Sequence, residues 1–246
     1  MGTPLLEWPS LYDWERIYEA SAFDTIFSPL ESLQPARNET GDDFRAFTRK
    51  SELDGLLFEV HQRLVDSARS YVLMMFYYGK GIPDARWRIS PGRKGQSIEF
   101  FPDFEERHFA IKAWFDFFSD TLYYKLFSAW DVLGHVLNVK YDLRAERVDF
   151  GQAVKALKSK EPGLHAKLAE VRESAAFQKA NKLRNDITHN YLPNTTGFTV
   201  RRSGTSISVG SKAYVPSGEI VANIQETLPL FAATLQYVLG SDLRAG

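Results

Sequence analysis

The residues Lys182-Leu-Arg-Asn-Asp-Ile-Thr-His-Asn-Tyr-Leu-Pro193 concentrate the side chains best suited to chemistry. Arg184 offers a permanently charged, planar set of donors that suits an anion. His189 offers an imidazole, the side chain that takes and returns protons near neutral pH. Asn185 could orient that imidazole or bind an oxyanion. Asp186, three residues before His189, could fix its tautomer or be a solvated helix carboxylate. Tyr191 places a phenol just past the helix end that Pro193 enforces. At about 100° per residue, Asn185 and His189 share a helix face, whereas Arg184 and His189 point about 140° apart. The latter two converge only if the helix unwinds before Pro193, or if a second copy of the chain completes the pocket. Phe177, Ala180, Arg184, Ile187 and Tyr191 recur at spacings of three and four, which puts Arg184 in an apolar seam. A guanidinium there must be paired or must await an anion. A purely structural reading is also open, with Arg184 paired to a carboxylate such as Asp131 and His189 favoured at a helix C-terminus by the dipole. Asp131 itself recurs with Lys125, Ser128, His135 and Asn138 at helical spacing, most simply as a polar face.

The elements that must position these groups are mostly helices. Leu53, Leu56, Leu57, Val60, Leu64, Ala68, Tyr71, Val72 and Met75 predict a helix over 51–78, stopped by Gly79 and Gly81 with Pro83 beyond. Residues 86–101 change period: Trp87, Ile89, Ile98 and Phe100 alternate with polar residues around Pro91-Gly-Arg-Lys-Gly95, the pattern of a β-hairpin. A helix resumes after Pro102 and runs to about Tyr141, with a possible break near Ser119. A short helix is expected over 149–158 and another over 164–190. A second hairpin, 197–209, turns through Ser203-Gly204, and a last helix covers 219–239 with a possible kink at Pro229. Residues 1–50 read as an extension whose Trp8, Tyr12, Trp14 and Tyr18 pack onto the body, with Ala36 to Asp43 a polar connection. The body, 51–246, is then a mainly α, up-and-down helical bundle with two β-hairpin insertions. Trp114, Phe115, Phe117, Phe118, Tyr123 and Trp130 are expected in its core, and His61, His108 and His165 at its surface.

Composition narrows the function classes. With 246 residues, 44% of them hydrophobic, the chain can bury a sizeable core. Its net charge of −1 provides no global field toward nucleic acid or an anionic membrane. Any RNA contact must come from local clusters: Arg86, Arg88, Arg93 and Lys94; Lys179, Lys182 and Arg184; or Arg201, Arg202 and Lys212. Cysteine is absent, which removes disulfides, thiolate nucleophiles and thiolate metal sites. The opening residues lack a signal-peptide pattern, and the aromatic run 109–139 is interrupted by Lys112, Asp116, Asp120, Lys125 and Asp131. A cytoplasmic protein without a membrane span is therefore expected. No cluster of Asp, Glu or His has convincing metal-ligand spacing.

On Arg184, the polar Asn185, four intervening residues and His189, the chain resembles the HEPN superfamily in its ribonuclease members. Tyr191, two residues after the His, is similar to the toxin branch of HEPN and minimal-nucleotidyltransferase pairs. Tyr124 to Asp131 is in keeping with the family's long central helix, and elsewhere the resemblance is architectural. It implies an up-and-down helical bundle with the motif near the end of its third main helix, and a two-fold homodimer whose motifs face a shared cleft. It also implies endoribonuclease activity without metal or cofactor, leaving a 2′,3′-cyclic phosphate, in a toxin or defence effector. His189 would be the proton-transfer group and Arg184 the charge stabiliser, with Asn185 beside them and Asp186, Asp131 and Tyr191 in support. A partner nucleotidyltransferase antitoxin would adenylate Tyr191. Residues 1–50 and both hairpins have no counterpart in the minimal family. Two alternatives stand beside this: a non-catalytic HEPN module binding RNA, nucleotide or a protein partner, and a structural helical dimer.

Overall fold

The computed structural model describes residues 6–31 and 44–240. Two 36-residue helices, α3 (Phe44–Gly79) and α4 (Glu106–Tyr141), form its spine. They run antiparallel, about 54 Å each at 1.5 Å per residue. Tyr77 stacks near Trp114 and Phe118, Arg63 Nε donates to Ser128 Oγ at 2.8 Å, and Arg49 reaches the carbonyl of Lys140. Before α3 come α1 (Leu11–Glu19) and α2 (Phe23–Glu31); after α4 come α5 (Phe150–Leu157), α6 (Pro162–Glu173), α7 (Ala175–His189) and α8 (Ser217–Gly240). Trp130 is the hub of the core: its ring lies 4.8 Å from Phe231, 5.0 Å from Phe177 and 5.1 Å from Phe127, and its indole N–H donates to Thr234. The mainly α bundle with two small hairpin insertions expected from the sequence is the fold observed.

The N-terminal helices share this core. Ile17, Phe23, Ile26, Phe27 and Leu30 are buried, and Phe23 meets Tyr71 of α3 edge-on at 5.7 Å. α3 begins seven residues before the expected Ser51, so residue 50 falls inside a helix. The stretch 36–43 lies outside the described residues.

Five local expectations need correction. Trp8 and Tyr12 are exposed (64% and 73%) rather than packed onto the body, whereas Trp14 and Tyr18 do pack against the core. α4 runs through Ser119 without a break: the buried hydroxyl is satisfied within the helix by Asp116 O at 2.9 Å, and Phe115, Phe118 and Leu122 around it are buried in the core. The helix expected over 164–190 is two helices, because Ser174 leaves helical geometry (φ −60°, ψ 142°) and caps α7, its Oγ accepting from Phe177 N. Phe117 is 57% exposed rather than core. His108 is buried rather than at the surface, its Nδ1 accepting from Glu105 N in the capping box of α4.

The first hairpin pairs only β1 (Arg88–Ile89) with β2 (Glu99–Phe100). The second pairs β3 (Phe198–Ser203) with β4 (Ser206–Ser211), Ser203 opposite Ser206, around Gly204, whose φ of +57° suits glycine. Gly134 on α4 matters more for the site. A Cβ there would lie 2.7 Å from the backbone of Asp149 and Phe150, so its absence lets the start of α5 rest against α4.

Candidate functional site

α7 buries Phe177, Ala180 and Leu183 against α4 and α8, and Phe177 alone meets Phe127, Trp130 and Phe150. The seam seen in the sequence is thus filled by the chain's own core over its first two turns. Arg184 comes next on that face, at the edge of the core, with its side chain 24% exposed. Its Cζ sits 5.4 Å from the Phe127 ring centroid, Nη2 lies 3.4 Å from Asp131 Oδ2, and Nη1 donates to Asn185 Oδ1 at 3.0 Å. Asp131 in turn accepts from the Phe150 N–H through Oδ1 at 3.3 Å. Burial pushes the Asp131 carboxyl above its ordinary range, opposed by that N–H and by the Arg184 charge; His135, exposed one turn further along α4, also opposes the rise.

The ion pair is long and loose. The Arg184 side chain is 24% exposed and that of Asp131 42%, so the pair is open to solvent. Such a pair adds little to stability. It leaves a partly solvated cation beside an aromatic ring at the surface, an arrangement that can receive an oxyanion.

His189 is the last residue of α7, and its ring is exposed. Because α7 stays helical through His189, the unwinding route to convergence is not taken, and Arg184 and His189 remain on different faces of one chain. Asp186 does not orient the imidazole: its carboxylate accepts from Lys182 Nζ at 2.5 Å and from Asn190 Nδ2 at 3.1 Å. Asn185 is engaged with Arg184. Tyr191 follows the helix end and is 55% exposed rather than packed along the seam. So the structure brings together Arg184, Asn185 and Asp131, and holds His189 and Tyr191 apart from them.

The other basic clusters are largely committed. Arg86 and Arg93 converge on Asp103 at 3.0 and 2.6 Å, and Lys179 pairs with Glu219 at 3.3 Å. Lys212 is buried and donates to Thr195 Oγ1 at 2.7 Å.

Beneath the segment that leaves α7 lies a buried polar network that periodicity alone does not reveal. Lys112, Asp116 and Asp120, spaced four apart on α4, face Asn194. Lys112 Nζ donates to Asp116 Oδ2 at 2.6 Å and to Asn194 O at 2.7 Å, while Asn194 Nδ2 donates to Asp120 Oδ1 at 3.3 Å. Burial raises Asp116 to about 6 and Asp120 to about 7, against the pull of Lys112 and Asn194. Alongside, Asp84 accepts from Tyr214 Oη at 2.5 Å, Ser217 Oγ at 2.7 Å and Ser217 N at 2.9 Å. A lysine with carboxylates four and eight residues on, inside an aromatic helix, was the signal available in the sequence.

Among the described residues, no three of His, Asp and Glu group as a metal site, and no helix is long and apolar enough to cross a membrane. The HEPN_Cthe2314-like HEPN family model matches residues 57–239, well over half of the chain. No curated protein and no solved structure matches it. A helical bundle of this topology, matched over that span, places the chain in the HEPN superfamily.

Proposed function

We propose that the chain is a metal-independent endoribonuclease whose working site joins Arg184 and Asn185 of one copy to His189 of a second. The observation that carries this is the partly exposed side chain of Arg184, its guanidinium against Phe127 and bonded to Asn185, with a long 3.4 Å contact to Asp131 as its ion pair, five residues from an exposed imidazole on a different face. In the reaction, His189 takes the proton of a ribose 2′-hydroxyl as its oxygen attacks the adjacent phosphorus. Arg184 stabilises the charge that builds on the phosphoryl oxygens. The bond to the 5′-oxygen breaks, that oxygen takes up a proton, and the products are a 2′,3′-cyclic phosphate and a 5′-hydroxyl. The exposed phenol of Tyr191 is open to a partner nucleotidyltransferase, and an adenylate there would add negative charge and bulk next to His189. A toxin or defence role follows from that reading. The test is incubation of purified protein with varied RNAs, with and without chelator. Wild-type cleavage should be insensitive to chelator, fall about 10²–10⁴-fold in His189→Ala, and fall about 10²–10³-fold in Arg184→Ala. Activity lost with chelator, or kept in both variants, ends the assignment.

One observation favours a second reading, a HEPN module that binds without cutting. Arg184 already has a structural occupation between Asp131, Asn185 and Phe127. In that case the same protein would bind RNA or a partner with no cleavage under any condition.

A further inference from the structure

His189 is the last residue of α7 and Tyr191 lies on the segment between α7 and β3, so how that segment leaves the helix bears on how firmly the last turn is held; both rings are exposed. Asn190 N bonds back to Asp186 O at 3.1 Å, and the chain then leaves helical geometry. What fixes it next lies on distant elements. Pro193 O accepts from Val215 N at 2.8 Å and Gly197 O from Lys212 N at 2.9 Å. Asn194, 2% exposed, is gripped twice from α4: its carbonyl by Lys112 and its amide nitrogen by Asp120. Lys112 is buried, its ammonium shared between Asp116 and Asn194 O and lying 5.4 Å from the Tyr214 ring centroid. A buried lysine is costly, and a leucine or methionine would fill this place among aromatic residues at lower cost. Balancing Asp116 does not require it, since an apolar pair would serve stability as well. The function that an apolar pair cannot replace is the bond to a backbone carbonyl five residues after His189.

We propose that Lys112 is a positioning residue that tethers the post-helical segment to α4 and thereby sets where His189 and Tyr191 stand. The proposal rests on the assignment of His189 as the proton-transfer group. Lys112 touches no reacting atom; it acts through Asn194. Arg184, on the body of α7, is independent of the tether, so substrate binding and turnover should separate.

The experiment compares wild type, Lys112→Met and the double variant Lys112→Met/Asp116→Leu, in which no unpaired carboxylate remains at that position. In Lys112→Met, kcat for RNA cleavage should fall about 10–100-fold, since a misplacement of about 1 Å can cost about 10²-fold, while KM changes by less than about threefold. Backbone order parameters for Asn190 to Thr195 should drop from about 0.85 to below about 0.6, with α3 and α8 unchanged. The double variant should regain the part of the lost thermal stability that the unpaired Asp116 carboxylate cost, yet keep both defects, because Asn194 O is still unheld. Recovery of kcat and order parameters in the double variant would overturn the proposal and reduce Lys112 to a counter-ion for Asp116. Should even wild-type protein fail to cleave RNA, that failure belongs to the nuclease reading. The order parameters then decide the tether alone: loosening in both variants upholds it, rigidity in either overturns it.

Discussion

Replacing Asp131 with asparagine separates a guanidinium that waits for phosphate from one that only braces the fold. Asp131 Oδ2 lies 3.4 Å from Arg184 Nη2, and the side chains are 42% and 24% exposed. Two unit charges at about 4 Å interact by about 1 kcal/mol in water and about 4 kcal/mol at an effective dielectric of about 20. The exposure of both groups puts this pair at the lower end, about 1 kcal/mol. If Arg184 receives a phosphate, Asp131 competes with it, and removing the negative charge should tighten RNA binding by the equivalent of about 1 kcal/mol, or about fivefold. The amide oxygen that Asp131→Asn introduces can still accept the Phe150 N–H, so the fold should lose no more than about 1 kcal/mol. The assay is fluorescence anisotropy with an RNA made uncleavable by 2′-O-methylation, at about 0.05 and 0.5 M salt; the gain should shrink at the higher salt as screening takes over. In an Arg184→Ala background the Asp131→Asn effect should vanish, as a double-mutant cycle requires of a coupled pair. Unchanged or weaker binding in Asp131→Asn, together with a melting-temperature loss that Arg184→Ala reproduces, would refute the reasoning and leave Arg184 a structural residue.

Mixing Arg184→Ala protein with His189→Ala protein should restore part of the RNA cleavage that each lacks, because mixed dimers keep one intact pocket; sedimentation showing a fully active monomer would exclude the shared site. Asp120→Asn should raise stability at pH 8 and leave it nearly unchanged at pH 4, read by thermal melts across that range. The sign follows from burial: the folded carboxyl holds its proton up to about pH 7 against an ordinary 3.8, so wild-type stability falls as pH rises between those values. The gap sets an upper bound of about 4 kcal/mol, part of it shared with Asp116, so a gain of about 1–2 kcal/mol at pH 8 is expected. Gly134→Ala should cost about 1–3 kcal/mol in chemical denaturation, because its Cβ meets the backbone of Asp149 and Phe150 at 2.7 Å; a neutral effect would show that α5 can shift freely.

Local chemistry made much of this protein readable from its residues. Periodicity located α3, α5, α8 and both hairpins, since one apolar face per helix and alternation per strand are written directly into the order of side chains. The Arg184-to-His189 spacing and its placement at a helix end were equally visible, and they pointed to the superfamily that the family match supports. Other features depended on contacts across the fold. Ser174 could have continued a helix or capped one, and the packing of α6 and α7 around the core decided for the cap. Phe117 and Phe118 are chemically alike neighbours, but one helical step turns the first to solvent and the second to Tyr77. Whether the apolar seam of α7 met a second copy or its own bundle could not be read from spacing; Phe127, Trp130 and Phe150 fill its first half, from α4 and α5. Lys112 and Asn194 are 82 residues apart, and their bond exists only because α4 passes beneath the chain leaving α7. Periodicity reports which face a residue takes on its own element, whereas the partner it meets there is set by how distant elements pack, and that is why the seam and the tether had to come from the tertiary structure.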